Sequence, residues 1–294
     1  MLLKIKAIVK PTHSKKTSIG ISSLNLLLFS GLFALTLLSR QPLKAQCNLS
    51  NQAYGDGEEV TFVAAYNWGP VWVDAGLVTF SVRDEDYFGK PSYHLKAVGK
   101  TFKSYDILFK VRDYYDSWIN RETLEPIGFK RYIYEGGYTL LNTLYFDKYR
   151  KAVISNTKTN DNPQRADTLP ARTCGFDMLS AIYHTRTLDL ASMKPNERHF
   201  VTVAIDDAWY DIYIKMIGKD VVEGLDEKQY RCIKFSVKMV QGTIFKGDED
   251  VLVWVTDDAN KVPVYIEAKI IVGTVKVYLK AMKGFRNPVT SVIR

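Results

Sequence analysis

The stretch Val262-Pro263-Val264-Tyr265-Ile266-Glu267-Ala268-Lys269-Ile270 decides the fold. Val262, Val264, Ile266, Ala268 and Ile270 fall on one face, and Tyr265, Glu267 and Lys269 on the other. After Gly273 the alternation resumes, with Val275, Val277 and Leu279 opposite Lys276, Tyr278 and Lys280. A period of two with one apolar face is the pattern of a half-buried strand, and two such runs around a short glycine turn make an antiparallel hairpin.

The same reading extends outward. Arg231 to Val240 places Ile233, Phe235, Val237 and Met239 together, which turns Cys232 away from that core face. Further strands are expected at Glu59–Trp68, Val71–Val82, Ser92–Gly99, Phe109–Ile119, Gly128–Glu135, Tyr138–Phe146, Ala152–Thr157, Phe200–Ile205, Tyr210–Ile217 and Asp250–Thr256. Gly136-Gly137 between two aromatic-rich runs is a two-residue hairpin signal. One segment departs from the period: Phe176 to Arg186 sets Leu179, Ile182, Tyr183 and Arg186 on one helical face, with Asp177 at its start. The polar run Asn156–Pro170 before it carries two prolines and reads as a long loop. The expected fold is all-β, mainly antiparallel, a curled sheet or open barrel with one short amphipathic helix in the middle. A β half at 57–157, a loop and helix at 158–190 and a β half at 198–284 would form one domain spanning 46–294.

Residues 1–45 carry a different message. Lys4, Lys6, Lys10, Lys15 and Lys16 precede an apolar run from Ile19 to Leu38, and Ala45 follows. These are the parts of a secretory signal peptide, with cleavage expected after Ala45. A retained anchor and a lipid-modified Cys47 are the other readings, although Gln46 is not the small residue that usually precedes a lipidated cysteine. The leader holds seven Lys/Arg and no acid, so the mature chain has 40 − 7 = 33 basic against 32 acidic residues. The basic pI therefore comes mostly from a removable segment, and no nucleic-acid partner is expected. The expected location is the periplasm or outer membrane of a Gram-negative bacterium, with membrane contact only through an uncleaved leader.

Scattered motifs resemble an exported bacterial family, "domain of unknown function 3108". Gly57-Glu58-Glu59-Val60-Thr61-Phe62, Trp68 and Asp74-Ala75-Gly76 are similar to its opening. Asp116-Ser117-Trp118-Ile119, Thr123-Leu124-Glu125-Pro126 and Asp177-Met178-Leu179-Ser180-Ala181 are similar to its middle. Trp254-Val255-Thr256-Asp257-Asp258, Lys261-Val262-Pro263-Val264 and Val272-Gly273-Thr274-Val275 are similar to its end. The resemblance implies an exported, β-rich protein and carries over no catalytic residues.

Three cysteines, Cys47, Cys174 and Cys232, lie beyond the leader. An oxidising compartment favours one pairing. Cys174–Cys232 would pin the helix over a strand and contribute about 3–4 kcal/mol in the chain-entropy model; Cys47–Cys174 and three reduced thiols are the alternatives. Cys174 with His184 ten residues on lacks an orienting partner for nucleophilic chemistry. His94, His184 and His199 show no metal-ligand spacing. No nucleophile elbow or phosphate loop is present. The acidic clusters at Asp84-Glu85-Asp86, Asp206-Asp207, Asp248-Glu249-Asp250 and Asp257-Asp258 lack a calcium-loop pattern and suit turns. Neither cofactor nor metal is expected.

Aromatic residues carry the functional expectation. Tyr66, Trp68 and Trp72, then Tyr114, Tyr115 and Trp118, then Tyr132, Tyr134 and Tyr138 recur in the first half. Many are expected in the core or in cross-strand pairs. The others would line a groove for a lipid or glycan, with Trp68, Trp72, Tyr114 and Trp118 as the surface and Arg112 and Asp113 as polar fixtures, or as an ion pair. A non-enzymatic envelope protein binding an amphipathic ligand or envelope component on a curved β surface is the leading expectation. An assembly factor using a sheet edge or the helix, and a hydrolase built on His184, Asp257 or Asp258, are the alternatives.

Overall fold

A computed structural model describes residues 50–68, 71–238, 251–270 and 273–293 of the chain. They belong to one compact unit, Cys47–Arg294. The expected leader, Cys47, Met239, Val240 and the acidic run 248–250 lie outside the described residues.

In chain order the strands are β1 (Glu59–Trp68), β2 (Val71–Tyr87), β3 (Lys90–Thr101), β4 (Arg112–Asn120), β5 (Pro126–Glu135), β6 (Tyr138–Asp147), β7 (Ala152–Thr159) and β8 (Arg165–Pro170). The second series is β9 (Gly175–Phe176), β10 (Arg198–Ile205), β11 (Ala208–Glu223), β12 (Gln229–Val237), β13 (Val251–Thr256), β14 (Pro263–Lys269) and β15 (Thr274–Lys283). A one-turn helix α1 (Asp106–Phe109) interrupts the β3–β4 connection, and α2 (Met178–Thr187) lies between β9 and β10.

All strands belong to one sheet, ordered β8-β7-β6-β5-β4-β3-β2-β1-β15-β14-β13-β12-β11-β10-β9. Each hairpin pairs with its sequence neighbour, and β1 joins the halves by pairing β15, Phe62 opposite Leu279. Among the described strands, β9–β10 alone is a parallel pair. Glu135 opposite Tyr138 leaves Gly136 and Gly137, both at positive φ, as the two-residue turn expected from their sequence.

The ladder does not close, because β8 and β9 are its two ends. Side chains cross this seam instead. Trp209 Nε1 donates to Pro170 O at 2.8 Å, Ser155 Oγ donates to Asp206 O at 2.5 Å, and Arg165 pairs with Asp207. β8 corrects the expected loop: of its residues only Leu169 is buried, and Arg165 and Asp167 share its face, so this edge strand shows little apolar alternation.

The sheet curls because α2 fills it. Leu179 and Tyr183 of α2 pack with Val82, Leu95, Ile119, Phe129, Leu144, Val153 and Leu169, contributed by β2 through β8, and with Ala204 of β10. Asp177 caps the helix, accepting from Leu179 N and Ser180 N at 2.9 Å each, and Ser180 Oγ accepts from Asp177 N. Ser117 Oγ of β4 donates to the same buried carboxylate at 2.7 Å, so one residue both starts the helix and ties it to the sheet. The expected helical face needs one correction: Leu179, Tyr183 and Arg186 are buried, but Ile182 is exposed. Ala181 takes the inward position, because a small side chain admits the close approach to Val201 and Val203 of β10.

Cys232 also departs from expectation. Both faces of β12 are covered: Ile233 and Phe235 meet Ile214, Met216, Val255 and Leu190, while Tyr230 and Cys232 meet Phe62, Trp254, Val264 and Leu279. The C-terminal segment adds Val289 and Val292 to that second core. Cys232 is therefore a free, buried thiol, pushed up to about 12 by burial and by the nearby Asp220 charge, and the Cys174–Cys232 bridge is not formed. The Cys47–Cys174 pairing involves a residue outside the described ones.

Candidate functional site

Strand register brings several connections to one end of the sheet, the β7–β8 and β10–β11 turns (Thr157 opposite Arg165, Ile205 opposite Ala208) among them. Trp68 pairs with Val71, Gly76 with Thr101, Val111 with Glu135 and Lys269 with Thr274, so the β1–β2, β3–β4, β5–β6 and β14–β15 turns share that end. The opposite end is covered by Ala53 and Tyr54 and by the C-terminal segment.

The β3–β4 connection is the most distinctive of these turns. Tyr105 N donates to Phe102 O, and Leu108 N and Phe109 N donate to Tyr105 O, each at 2.9 Å. Arg112 clamps Asp106 with Nη1–Oδ1 at 3.0 Å and Nη2–Oδ2 at 2.5 Å, and Thr101 Oγ1 donates to Asp106 Oδ1 at 2.7 Å. The hydrogen bonds from Arg112 and Thr101 hold the Asp106 carboxyl below its usual range. The Phe109 ring lies where a side chain on Gly136 would be, 2.3 Å from an ideal Cβ, so only glycine admits it. With Phe109 docked and Asp106 clamped, Ile107 and Leu108 face outward, 92 % and 63 % exposed. On the adjacent β1–β2 hairpin, Val71 and Trp72 at the start of β2 are 58 % and 44 % exposed. Placing aliphatic side chains in water costs free energy, and here a braced turn holds them there.

Cations and rings alternate around this end. Lys276 Nζ lies 4.4 Å over Trp72, Lys100 5.4 Å over Tyr114 and Lys110 5.6 Å over Tyr134. Tyr114 and Tyr132 are cross-strand neighbours, with centroids 6.4 Å apart.

The structure divides the sequence-based site. Trp72, Arg112 and Tyr114 lie at the tip end. Trp68 ends β1, and its side chain is outside the described residues. Arg112 pairs with Asp106 and not with Asp113, which correct alternation along β4 sends to the other face. Trp118 lies nearer the opposite end and is stacked between Tyr87 (4.5 Å, 13°) and His94 (4.8 Å, 9°), with Nε1 donating to Glu85 at 3.2 Å. Both of its faces are covered, so it offers no flat surface to a sugar ring. His94 in turn meets Glu85 and Asp116, each at 2.9 Å. Sequence reasoning passed over Ile107 and Leu108, although an apolar triplet between Lys103 and Lys110 is an unusual turn.

Asp113 has its own chemistry. Burial, and then the Glu135 carboxylate, push its carboxyl up to about 7, against a backbone hydrogen bond from Tyr134 N (3.3 Å) and the Arg131 charge. The folded protein thus holds a proton there that the unfolded chain, with a pKa of about 4, releases. Stability from this group is present below pH 4 and is lost as pH rises towards 7. Asp113→Asn is expected to leave the melting temperature unchanged at pH 4 and to raise stability at pH 8 by roughly 1 kcal/mol, solvent screening included. Equal effects at both pH values would show that the carboxyl is not titrating.

The residues considered for catalysis are engaged in structure. His184 stacks on Phe176 at 4.4 Å and is pushed down to about 4 by burial and by His199. Asp257 pairs with Lys219, and Asp258 accepts from Thr256 Oγ1, Asn260 N and Ser291 N. Asp84 accepts from Arg121, and Asp86 accepts from Gly89 N. Among the described residues no group of three or more His, Cys, Asp or Glu could hold a metal ion, and no helix is long and apolar enough to cross a membrane.

A crystal structure described as a beta-barrel-like protein of domain of unknown function DUF1849 from Brucella abortus is similar in fold. Its TM-score is 0.50 at 6% identity, covering 81% of this chain and 100% of that one. At this identity the likeness speaks for the fold alone. No curated protein matches the chain. A family model described as "Protein of unknown function (DUF3108)" matches residues 61–280, most of the chain, and the protein belongs to that family.

Proposed function

We propose that this is an exported protein of the cell envelope that works by contact, not catalysis, and that it presents the β1–β2 and β3–β4 tips to another envelope component. The observation that carries this reading is the braced turn that keeps Ile107 and Leu108 in water. The leader-like pattern of residues 1–45 supports export. A carrier holding its ligand inside the sheet is less favoured, since α2 and the side chains around it occupy the interior of the first half.

A photo-reactive side chain at position 107, in cells expressing the full chain, tests the reading. Adducts are expected from position 107 and not from position 88, where Phe88 is 77 % exposed but sits in the β2–β3 turn at the other end. Equal labelling from both positions, or none from either, would refute it. Intact mass of the recovered chain reports in parallel whether residues 1–45 have been removed.

A further inference from the structure

We propose that the component met by these tips is the surface of an anionic phospholipid bilayer; the inference rests on the contact reading above and names its partner. Residues 100–112 carry four cations, Lys100, Lys103, Lys110 and Arg112, and one acid, Asp106, giving 4 − 1 = +3. That acid is already neutralised by Arg112, so the remaining charge faces outward around the apolar tip. The β3–β4 turn, apolar at its summit and basic on its flanks, complements lipid chains beneath negatively charged headgroups, whereas the adjacent β1–β2 tip carries one exposed acid, Asp74, beyond Trp72.

The arrangement of rings points the same way. Trp72, Tyr114 and Tyr134 each lie under a lysine ammonium, so the apolar ring and the aliphatic stem lie together while the charge can reach the headgroups. Aromatic residues paired with cations are favoured at membrane–water boundaries for this reason. The exposed aliphatics are spread over two hairpin tips with lysines around them. A fluid surface accommodates two such tips without a matching groove. A protein partner would need one cavity for Ile107 and Leu108 and another for Val71 and Trp72. Contact would therefore be made by the folded domain itself, beyond the expectation that only a retained leader touches a membrane.

Co-sedimentation of the leader-cleaved chain with vesicles tests the inference. Binding is expected to vesicles of phosphatidylglycerol and phosphatidylethanolamine, to be absent from pure phosphatidylcholine vesicles, and to weaken as salt rises. K103E and K110E should each weaken it by at least about fivefold, and I107S/L108S by roughly tenfold or more. F88S should change nothing. All these side chains are at the surface, and unchanged melting temperatures would confirm folded variants. No binding, equal binding to both vesicle types, or indifference to I107S/L108S would overturn the lipid assignment. If vesicles then fail while position 107 crosslinks to a protein, the contact reading stands and the bilayer falls. If both assays are negative, both readings fall.

Discussion

Replacing Arg186 by alanine is expected to lower the unfolding free energy by about 3–5 kcal/mol, measured by urea denaturation. Arg186 sits in the last turn of α2 and is buried, as is Glu58 just before β1. Its Nη1 and Nη2 donate to the two Glu58 carboxylate oxygens at 2.5 and 2.9 Å, and Nε donates to Asn260 O at 3.0 Å. The rings of Tyr54 and Tyr183 lie 5.5 and 5.3 Å from the guanidinium. Deleting the arginine leaves a carboxylate in the core with neither water nor a counter-charge. Most of the loss is the cost of that orphan, not the intrinsic worth of the pair. Glu58→Gln is therefore expected to be similarly damaging, and Arg186→Met with Glu58→Leu to recover most of the stability. A loss below about 1 kcal/mol in either single variant would mean that water reaches the pair.

The second large effect is expected at Gly284, which follows β15. Its φ is +71°, and an added Cβ would lie 1.9 Å from the carbonyl oxygen and 2.5 Å from the carbonyl carbon of Gly57. Backbone cannot rotate away as a side chain can, so Gly284→Ala must displace the crossing of the two segments. The left-handed conformation and the clash together give an expected loss of about 2–4 kcal/mol. Beyond Gly284, Phe285, Val289 and Val292 pack on the Cys232 core, and Ile293 N donates to Gln229 O at 2.9 Å. Faster amide exchange at Ile293 should accompany the destabilisation. Gly89→Ala is the control: its φ is +75°, but nothing lies within 4 Å of the added carbon. It should cost only about 1 kcal/mol, and equal losses at the two sites would show that strain, not contact, dominates.

The strands with one dry and one wet face were legible in the chain. β6, β14 and β15 follow the period of two, and Gly136-Gly137 marked its hairpin. β8 was not legible, because an edge strand covered on one side needs few apolar residues. Ile182 and Cys232 were assigned the wrong exposure for a common reason. Periodicity reports how residues alternate along one element, whereas burial depends on what packs against each face. A C-terminal segment returning over β12, and a small Ala181 admitting β10, are contacts between residues far apart in the chain.

By itself, the sequence determined the mainly antiparallel class of the fold, the hairpins at Gly136-Gly137 and Gly273, the family and the helix start near Asp177, because each depends on local periodicity or on motifs in order. The tertiary structure alone decided how the sheet curls around α2 and which charges are buried. It alone separated Arg112 from Asp113, and it decided the topology that brings the β1–β2 and β3–β4 turns to one end, with Ile107 and Leu108 held in water among lysines and aromatic rings. Local pattern sets the path of each strand; register and long-range packing set which side chains share a surface, and the candidate function resides in that shared surface.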